Sequence, residues 1–345
     1  MNQSVAVRAI DVGFGNTKYV DRSQNGEVSC ALFPSLTPIT GLSNLTGNIF
    51  QRRNTVAIDV KGVRYEIGKD SPIAQGGNPS RVLDPSFSRS DNYIALVRGA
   101  LYYMGASSID NLIVGLPVST YRDLHEELAK TLTGDHPIPS CVLGAGSTFV
   151  TVHRVRALPQ PMGAFFDHVY RANRFTDIGQ RKHLVIDPGF FTLDWLLCHG
   201  VKAIEHRSGA HNGGVSSILR TINDAIGRDL KTQITELTEL DNAIRENRNP
   251  RYFGNEVDIS RFKPLIMMKT REAVSALAAS VGNSADIDSI ILAGGGTQLY
   301  KEAVQEKFPH HQIHIAHDPV FANVRGFQQA GENWIRHATP ASMTR

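Results

Sequence analysis

The chain has 345 residues, of which 41% are hydrophobic and 20% charged. That balance belongs to a folded protein and excludes a largely disordered chain, a collagen repeat and a coiled-coil rod. With 36 Lys and Arg against 33 Asp and Glu the formal charge is +3, too small for a protein that grips nucleic acid directly over a long footprint.

Val5 to Ile10 is short and β-rich and runs into Asp11-Val-Gly-Phe-Gly-Asn-Thr-Lys18 and Tyr19-Val20, so strand, Gly-rich turn and strand form a hairpin. Pro34 to Asn54 reads as a long loop, although Ile39, Leu42, Leu45, Ile49 and Phe50 make it more apolar than a solvated loop requires. Val56 to Ile67 forms two short strands around Lys61-Gly62. Helical spacing covers Asn92 to Met104 and, after a strand at Asn111 to Leu116 ended by Pro117, Ser119 to Thr131 with Ser119 or Thr120 as cap. Thr148 to Arg156 is one strand, and a helix from Met162 to Ala172 follows the Pro159-Gln160-Pro161 knot. The polar stretch Ala172 to Lys182 is a domain joint. Strands at His183 to Ile186 and Trp195 to Cys198 flank a second Asp-Gly turn, and Gly213-Gly214 opens a helix over Val215 to Ile226. A polar helix spans Glu236 to Asn249, and a longer one, Ile259 to Val281, is interrupted near Pro264. Asp288 to Leu292 is a strand, Thr297 to Phe308 a helix, Gln312 to Ala316 a strand and Asn323 to Arg336 a final helix. Strands alternating with helices throughout predict an α/β protein of two domains, or one large α/β unit.

The cysteines, Cys30, Cys141 and Cys198, are few and far apart, which argues against a disulfide framework and a cysteine-rich zinc site. No apolar run reaches the ~18 residues of a membrane helix, and Met1 to Ile10 lacks a signal-like apolar core. The expectation is a reduced, cytoplasmic protein.

One feature repeats. Asp11-x-Gly13-Phe14 and Asp187-x-Gly189-Phe190 match position for position, each at the end of a strand and half a chain apart. An internally duplicated fold with one acidic Gly turn per half is the simplest reading. Glycines let backbone N–H groups converge into an anion nest. An Asp beside such a nest would repel phosphates unless a cation intervenes, so Asp11 and Asp187 point to a hydrated Mg²⁺ between carboxylates and phosphates. Lys18 reaches a phosphate oxygen as a point charge, and Gly15, Asn16, Thr17 and Thr192 add short backbone and side-chain donors. The competing reading is two ordinary Asp-Gly turns. Two strand-to-helix entrances, Gly213-Gly214 and Gly294-Gly295-Gly296-Thr297, supply further glycine backbone and helix starts for the nucleoside side.

Rival motifs fail. Lys18 stands where a dinucleotide fingerprint needs a third Gly. Gly62 to Gly68-Lys69-Asp70 is one residue too long for a Walker A loop and has Asp70 in place of Ser or Thr. If Gln312 to Ala316 is a strand, His311 and His317 fall on one face and His310 and His314 on the other, which opposes a single metal site.

Taken in order, Asp11-x-Gly-x-Gly-Asn-Thr-Lys18, Pro159-Gln160, Asp187-x-Gly-x-x-Thr-x-Asp194, Gly294-Gly-Gly296 and Phe321-Ala-Asn323-x-x-Gly326 resemble the five signature segments of the actin-like ATPases, nearest to the prokaryotic ParM/StbA plasmid-segregation branch and its archaeal actin-like relatives. Pro188 and Phe190-Phe191 depart from the small residues usual in the second turn. The resemblance implies the actin-like ATPase fold, two duplicated RNase H-like domains around a nucleotide cleft, with boundaries expected at 1–162 plus 324–345 for the first and 163–323 for the second. It implies that Asp11 and Asp187 hold hydrated Mg²⁺, that the two hairpins and Lys18 grip the phosphates of ATP or ADP, that Gln160 orients the attacking water, and that the Gly294 segment holds the adenosine. Asp11, Gln160 and Asp187 are the expected catalytic residues.

The fold alone does not fix the function. A polymerising ATPase for plasmid segregation comes first, assembling with itself and linked to DNA through an adaptor protein, with no membrane partner. A small-molecule, sugar-type kinase of the same fold is the alternative, and a non-hydrolysing nucleotide-dependent scaffold the third.

Overall fold

The structure is a computed structural model and describes residues 4–39, 53–74, 84, 86–140, 146–172 and 178–338. Most of the loop expected at Pro34 to Asn54, with Leu42, Leu45, Ile49 and Phe50, lies outside the described residues, as does Cys141.

The chain opens with three antiparallel strands, β1 (Ser4–Val12), β2 (Asn16–Gln24) and β3 (Glu27–Pro34). The third was not anticipated. Asn25 and Gly26, at φ 54° and 84°, make the two-residue turn that joins it to β2, the pairing a type I′ hairpin demands. Strands β4 (Thr55–Val60) and β5 (Val63–Gly68) form the expected second hairpin, with Lys61 and Gly62 at φ 48° and 83°. A short helix α1 (Ser71–Ala74) precedes α2 (Asp91–Met104), whose Ser90 hydroxyl accepts from the Tyr93 amide as an N-cap.

Strand β6 (Ser108–Leu116) starts three residues earlier than expected and leads into α3 (Val118–Leu132). Pro117 occupies the N-cap of α3 and no side chain caps it, so neither Ser119 nor Thr120 does so. The strand expected at Thr148–Arg156 is two strands, β8 (Ser147–Val152) and β9 (Val155–Pro159), preceded by an unanticipated β7 (Gly134–Pro139). Both β8 and β9 run parallel to β6, pairing with Ser108–Ile109 and with Leu112–Leu116 respectively, and the break at His153–Arg154 lets the chain shift along β6. Pro137 and Pro139 hid β7 from pattern reading; it lies at the sheet edge, where a missing N–H costs no ladder bond. Helix α4 (Gln160–Ala172) begins at Gln160, with Pro161 in its first turn, so the Pro-Gln-Pro knot is itself the helix start.

After the joint come β10 (Lys182–Pro188), β11 (Leu193–His199), β12 (Lys202–Ala203), β13 (Gly209–His211), α5 (Val215–Asp229), α6 (Thr238–Arg245) and the small hairpin β14 (Arg251–Tyr252) and β15 (Asn255–Glu256). Helix α6 is shorter than the Glu236–Asn249 expected. Helix α7 (Lys263–Val281) follows a 3-10 turn, Ile259–Phe262, and Pro264 sits in its first turn, initiating it where an interruption was expected. Strand β16 (Ser289–Leu292), helix α8 (Thr297–Lys307), strand β17 (Ile313–Ile315) and helix α9 (Ala322–Ala338) complete the chain.

The described residues divide into two compact units, 1–175 with 320–345, and 176–319. Their main sheets repeat one plan. In the first, β3-β2-β1-β6-β9 places an antiparallel meander beside two parallel strands; in the second, β12-β11-β10-β16-β17 does the same. Ile10, Leu96, Leu101 and Leu112 lie in the first core, and Leu184, Ile218, Leu277 and Ile290 in the second, all fully buried. The unit boundary falls after α4, not at residue 162, because α4 is bolted to α9. Arg325 donates to both Asp167 oxygens at 2.6 Å, and the Ala164 amide donates to Asn323 Oδ1 at 3.2 Å. Gly163 and Gly326 let the helix backbones meet: a Cβ on Gly326 would stand 1.8 Å from the Gly163 carbonyl oxygen. No helix among the described residues is long and apolar enough to cross a membrane.

Candidate functional site

In the first unit the register of β1 and β2 puts Asp11 directly opposite Lys18, and residues opposite one another share a face of the sheet. Lys18 Nζ donates to Asp11 Oδ2 at 2.9 Å. From the first residue of α4, Gln160 Nε2 donates to Asp11 Oδ1 at 2.6 Å. A fully buried carboxylate thus holds one donor on each oxygen, and Gln160, far along the chain, meets the two candidates of the hairpin. Burial, and then the Asp11 charge, push the nearby Tyr93 phenol above its ordinary range. Gly115, on the neighbouring β6, was not among the candidates. A Cβ there would lie 3.0 Å from Gln160 Cγ and 3.1 Å from Asp11 Oδ1; its signal was a lone Gly inside an apolar strand.

The turn is closed by the Gly13 amide donating to the Asn16 carbonyl at 3.1 Å. A Cβ on Gly13 would stand 3.0 Å from Lys18 Nζ, so this glycine lets the ammonium fold over the turn. Ser35, from the end of β3, braces it. Its hydroxyl donates to the Gly13 carbonyl at 2.6 Å, and its amide donates to the Gly15 carbonyl at 3.0 Å. Thr17 shares a 2.9 Å bond with the Ser35 hydroxyl and is buried. Strand alternation turns it away from Asn16 and Lys18, so its hydroxyl is a brace and not a free donor.

The second unit repeats the turn with different chemistry. The Gly189 amide donates to the Thr192 carbonyl at 2.8 Å, the counterpart of the Gly13 bond. Asp187 pairs in register with Asp194, the position Lys18 occupies in the first unit. Both acids are buried, and the Thr192 hydroxyl donates to Asp194. The amides at the start of α5 close on this turn: Gly214 donates to the Phe191 carbonyl at 3.0 Å, Val215 to Gly189 at 3.0 Å and Ser216 to Phe190 at 2.7 Å. These groups, expected to face a ligand, hold the hairpin in place. The Tyr300 hydroxyl donates to the Gly213 carbonyl, and burial raises its pKa.

Gly294 completes the cluster. Its φ is +86°, and a Cβ would stand 2.0 Å from Asp187 Oδ1, so both backbone and space require glycine. The Gly296 amide donates to the Pro188 carbonyl at 2.8 Å, which ties the segment to the end of β10. Thr297 turns its hydroxyl inward to the Gly294 carbonyl at 2.8 Å, leaving Gly295 as the exposed backbone of the triplet. The Asp187 turn, the start of α5 and the Gly294 triplet therefore form one site within this unit. The facing acids Asp187 and Asp194 suit a hard, hydrated cation, whereas Asp11 is already balanced by Lys18.

The histidines near the C-terminus do not converge. His311 Nε2 donates to the Ser284 carbonyl at 2.9 Å, and His317 lies 3.3 Å from Asp318. Among the described residues no group of three or more His, Cys, Asp or Glu is placed to hold a metal ion.

Two families match the sequence: actin-like proteins, N-terminal domain, over residues 9–163, and archaeal actin homologue MreB-like, C-terminal, over 185–306. No curated protein matches it. Among solved structures, the archaeal actin homologue Ta0583 superposes with a TM-score of 0.76 at 20% identity, over 95% of this chain and all of that one. The same homologue in complex with ADP gives 0.75 at 19% identity, again over 95% and 100%. A 15-stranded ParM filament from Clostridium botulinum gives 0.75 at 18% identity, over 96% and 100%. Repeated sheet plan, repeated acidic hairpin and the two family matches lead to one conclusion: the chain carries an actin-like N-terminal domain and an archaeal MreB-like C-terminal domain, and it has the two-domain actin-like fold.

Proposed function

We propose that this actin-like protein binds and hydrolyses ATP with Mg²⁺ and assembles head to tail into filaments, of the kind that segregates plasmid DNA in the cytoplasm through a DNA-binding adaptor. The observation that carries the reading is the duplicated hairpin, built twice in one register and given Asp11 with Lys18 in one unit and Asp187 with Asp194 in the other. Asp187 and Asp194 would hold the hydrated Mg²⁺, with Asp11 assisting through water; the ion supplies charge neutralisation on the phosphates. Lys18 and the turn backbones at Gly13–Asn16 and Gly189–Thr192 bind phosphate oxygens, and the exposed backbone at Gly295, within the Gly294–Gly296 triplet, approaches the nucleoside. Gln160 spends its amide N–H on Asp11, which fixes the side chain and leaves Oε1 to accept a hydrogen bond from water. Glutamine is too weak a base to remove that proton, so its part is positioning.

An open head-to-tail contact propagates where a closed one would stop at a dimer. Nucleotide controls it by holding the charged hairpins in one arrangement and releasing them when the terminal phosphate leaves. The ParM filament and the ADP-bound archaeal homologue among the similar folds are consistent with both steps. Three measurements test the proposal: melting temperature with Mg-ATP, phosphate release, and sedimentation above a critical concentration. A cooperative melt that saturating Mg-ATP does not shift removes the nucleotide site. A protein that binds ATP yet stays monomeric at high concentration, with ATP or a non-hydrolysable analogue, favours the sugar-type kinase.

A further inference from the structure

The first unit contains a polar cavity that shares no lining residue with the hairpin site. It has a volume of about 270 Å³ and lies between α2, α3 and β7, closed by the β4–β5 turn at Lys61. At roughly 30 Å³ per water molecule that space holds a small oxyanion and several waters.

Two nitrogen atoms on its wall are buried and have no hydrogen-bond partner among the described residues, Arg98 Nε and His136 Nδ1. His136 is only 4% exposed. Its Nε2 donates to the Leu132 carbonyl at 2.8 Å, so in the neutral ring Nδ1 is an acceptor. Burial lowers the His136 pKa and keeps the ring neutral near pH 7. Arg98 Nη1 donates to the Asp59 carbonyl at 2.6 Å, while its Nε–H remains an unused donor.

The surrounding charges are already matched. Arg89 pairs with Glu127 at 2.6 Å and Lys61 with Asp91 at 2.8 Å. Asp59 is held by Arg64 at 2.8 Å. Asp135, beside His136 in β7, also lines the cavity, and its carboxylate accepts from the Thr151 hydroxyl at 2.6 Å. Arg98 makes no ion pair with a carboxylate among the described residues, and Asp91 acts on it only at longer range.

The ligand must therefore accept a hydrogen bond from a guanidinium and donate one to a neutral imidazole. Carboxylate, sulfate and the dianion of a phosphate monoester only accept. Inorganic phosphate near neutral pH carries both free oxygens and a hydroxyl. We propose that this cavity is a binding site for inorganic phosphate, with Arg98 Nε–H donating to one oxygen and the phosphate hydroxyl donating to His136 Nδ1.

The test compares phosphate with sulfate on the wild-type, nucleotide-free chain, reading the His136 ring by NMR so that anion binding at the hairpin site is not counted. Near pH 7.5 phosphate should shift the His136 resonance saturably, and sulfate should bind roughly tenfold or more weakly, the cost of leaving a buried acceptor unmatched. Once the pH is low enough to protonate His136, Nδ1 becomes a donor and the gap should close. Arg98→Gln should weaken phosphate binding by a similar factor. No saturable shift, as expected if water alone bridges the two nitrogens, overturns the proposal. Equal binding of sulfate and phosphate near pH 7.5 overturns it too. The ion comparison needs no variant to fold, and its failure leaves the ATP reading standing.

Discussion

Gly294→Ala separates backbone strain from a specific clash. At φ +86° an alanine costs about 1–2 kcal/mol, partly offset by roughly 0.4–1 kcal/mol from a stiffer unfolded chain. Its Cβ would also stand 2.0 Å from Asp187 Oδ1 and 2.9 Å from the Pro188 carbonyl oxygen. Real Cβ contacts do not approach so closely, so the Asp187 carboxylate must swing aside or β10 must shift, an overpacking cost of about 1–3 kcal/mol. Gly254→Ala supplies the control, because Gly254 has φ +80° and nothing within 4 Å of the added carbon. In calorimetry Gly254→Ala should lower the melting temperature by a few degrees at most. Gly294→Ala should lower it further, by roughly 2–4 °C for each additional kcal/mol in a unit of this size. It should also lose most of the stabilisation by Mg-ATP, since the carboxylate displaced is the proposed ion ligand, while Gly254→Ala should keep it. If the two variants melt alike, Asp187 does not press on Gly294 and the reasoning fails; an intact Mg-ATP response in Gly294→Ala removes Asp187 from the ion site.

Asp167→Leu takes from the buried Arg325 guanidinium its bidentate carboxylate, and should cost about 3–5 kcal/mol in urea unfolding, most of it restored in Asp167→Leu/Arg325→Met; equal stability of single and double variants would show that the pair does not hold α4 to α9. Gln160→Ala should slow phosphate release roughly tenfold or more with little change in nucleotide affinity, because water positioning acts in the transition state, and wild-type turnover under assembling conditions would remove the assignment. Burial lowers the pKa values of His136 and His183 in the folded state, so the unfolded chain binds more protons in the window below pH ~6.5. Stability is therefore complete above that pH and declines as pH falls toward the folded values, by up to ~1.4 kcal/mol per pH unit for each group. His183→Gln should remove about one proton from that slope, and an unchanged slope would contradict it.

Much of the fold could be read because the duplication is written in local chemistry. Asp11-x-Gly-Phe and Asp187-x-Gly-Phe end in the same turn bond, Gly13 to Asn16 and Gly189 to Thr192. The elements that escaped were those whose signal depends on neighbours. Strand β7 carries two prolines and survives only as an edge; β8 and β9 look continuous and are split by the need to follow β6. Within the site, residue type was easier to read than direction. Thr17, Thr192 and Thr297 all have hydroxyls suited to a ligand, yet each is bonded inside its own unit, to Ser35, Asp194 and Gly294. Gly115 had no status in a motif search, and Asp194 ended a signature segment without being a site candidate, because their importance lies in what stands on the adjacent strand.

That last pair of facts bears on why two copies of one hairpin are useful. Opposite charges facing each other across antiparallel strands stabilise by roughly 0.2–1 kcal/mol, and like charges destabilise. Asp11 opposite Lys18 is therefore satisfied without help. Asp187 opposite Asp194, in the same register and buried, concentrates negative charge that a hydrated cation would relieve. A single change of sign at the facing position turns one backbone plan into two hairpins of different charge, with an ammonium against Asp11 in the first unit and a second carboxylate against Asp187 in the other; on the proposed function the first would meet phosphate and the second the metal ion.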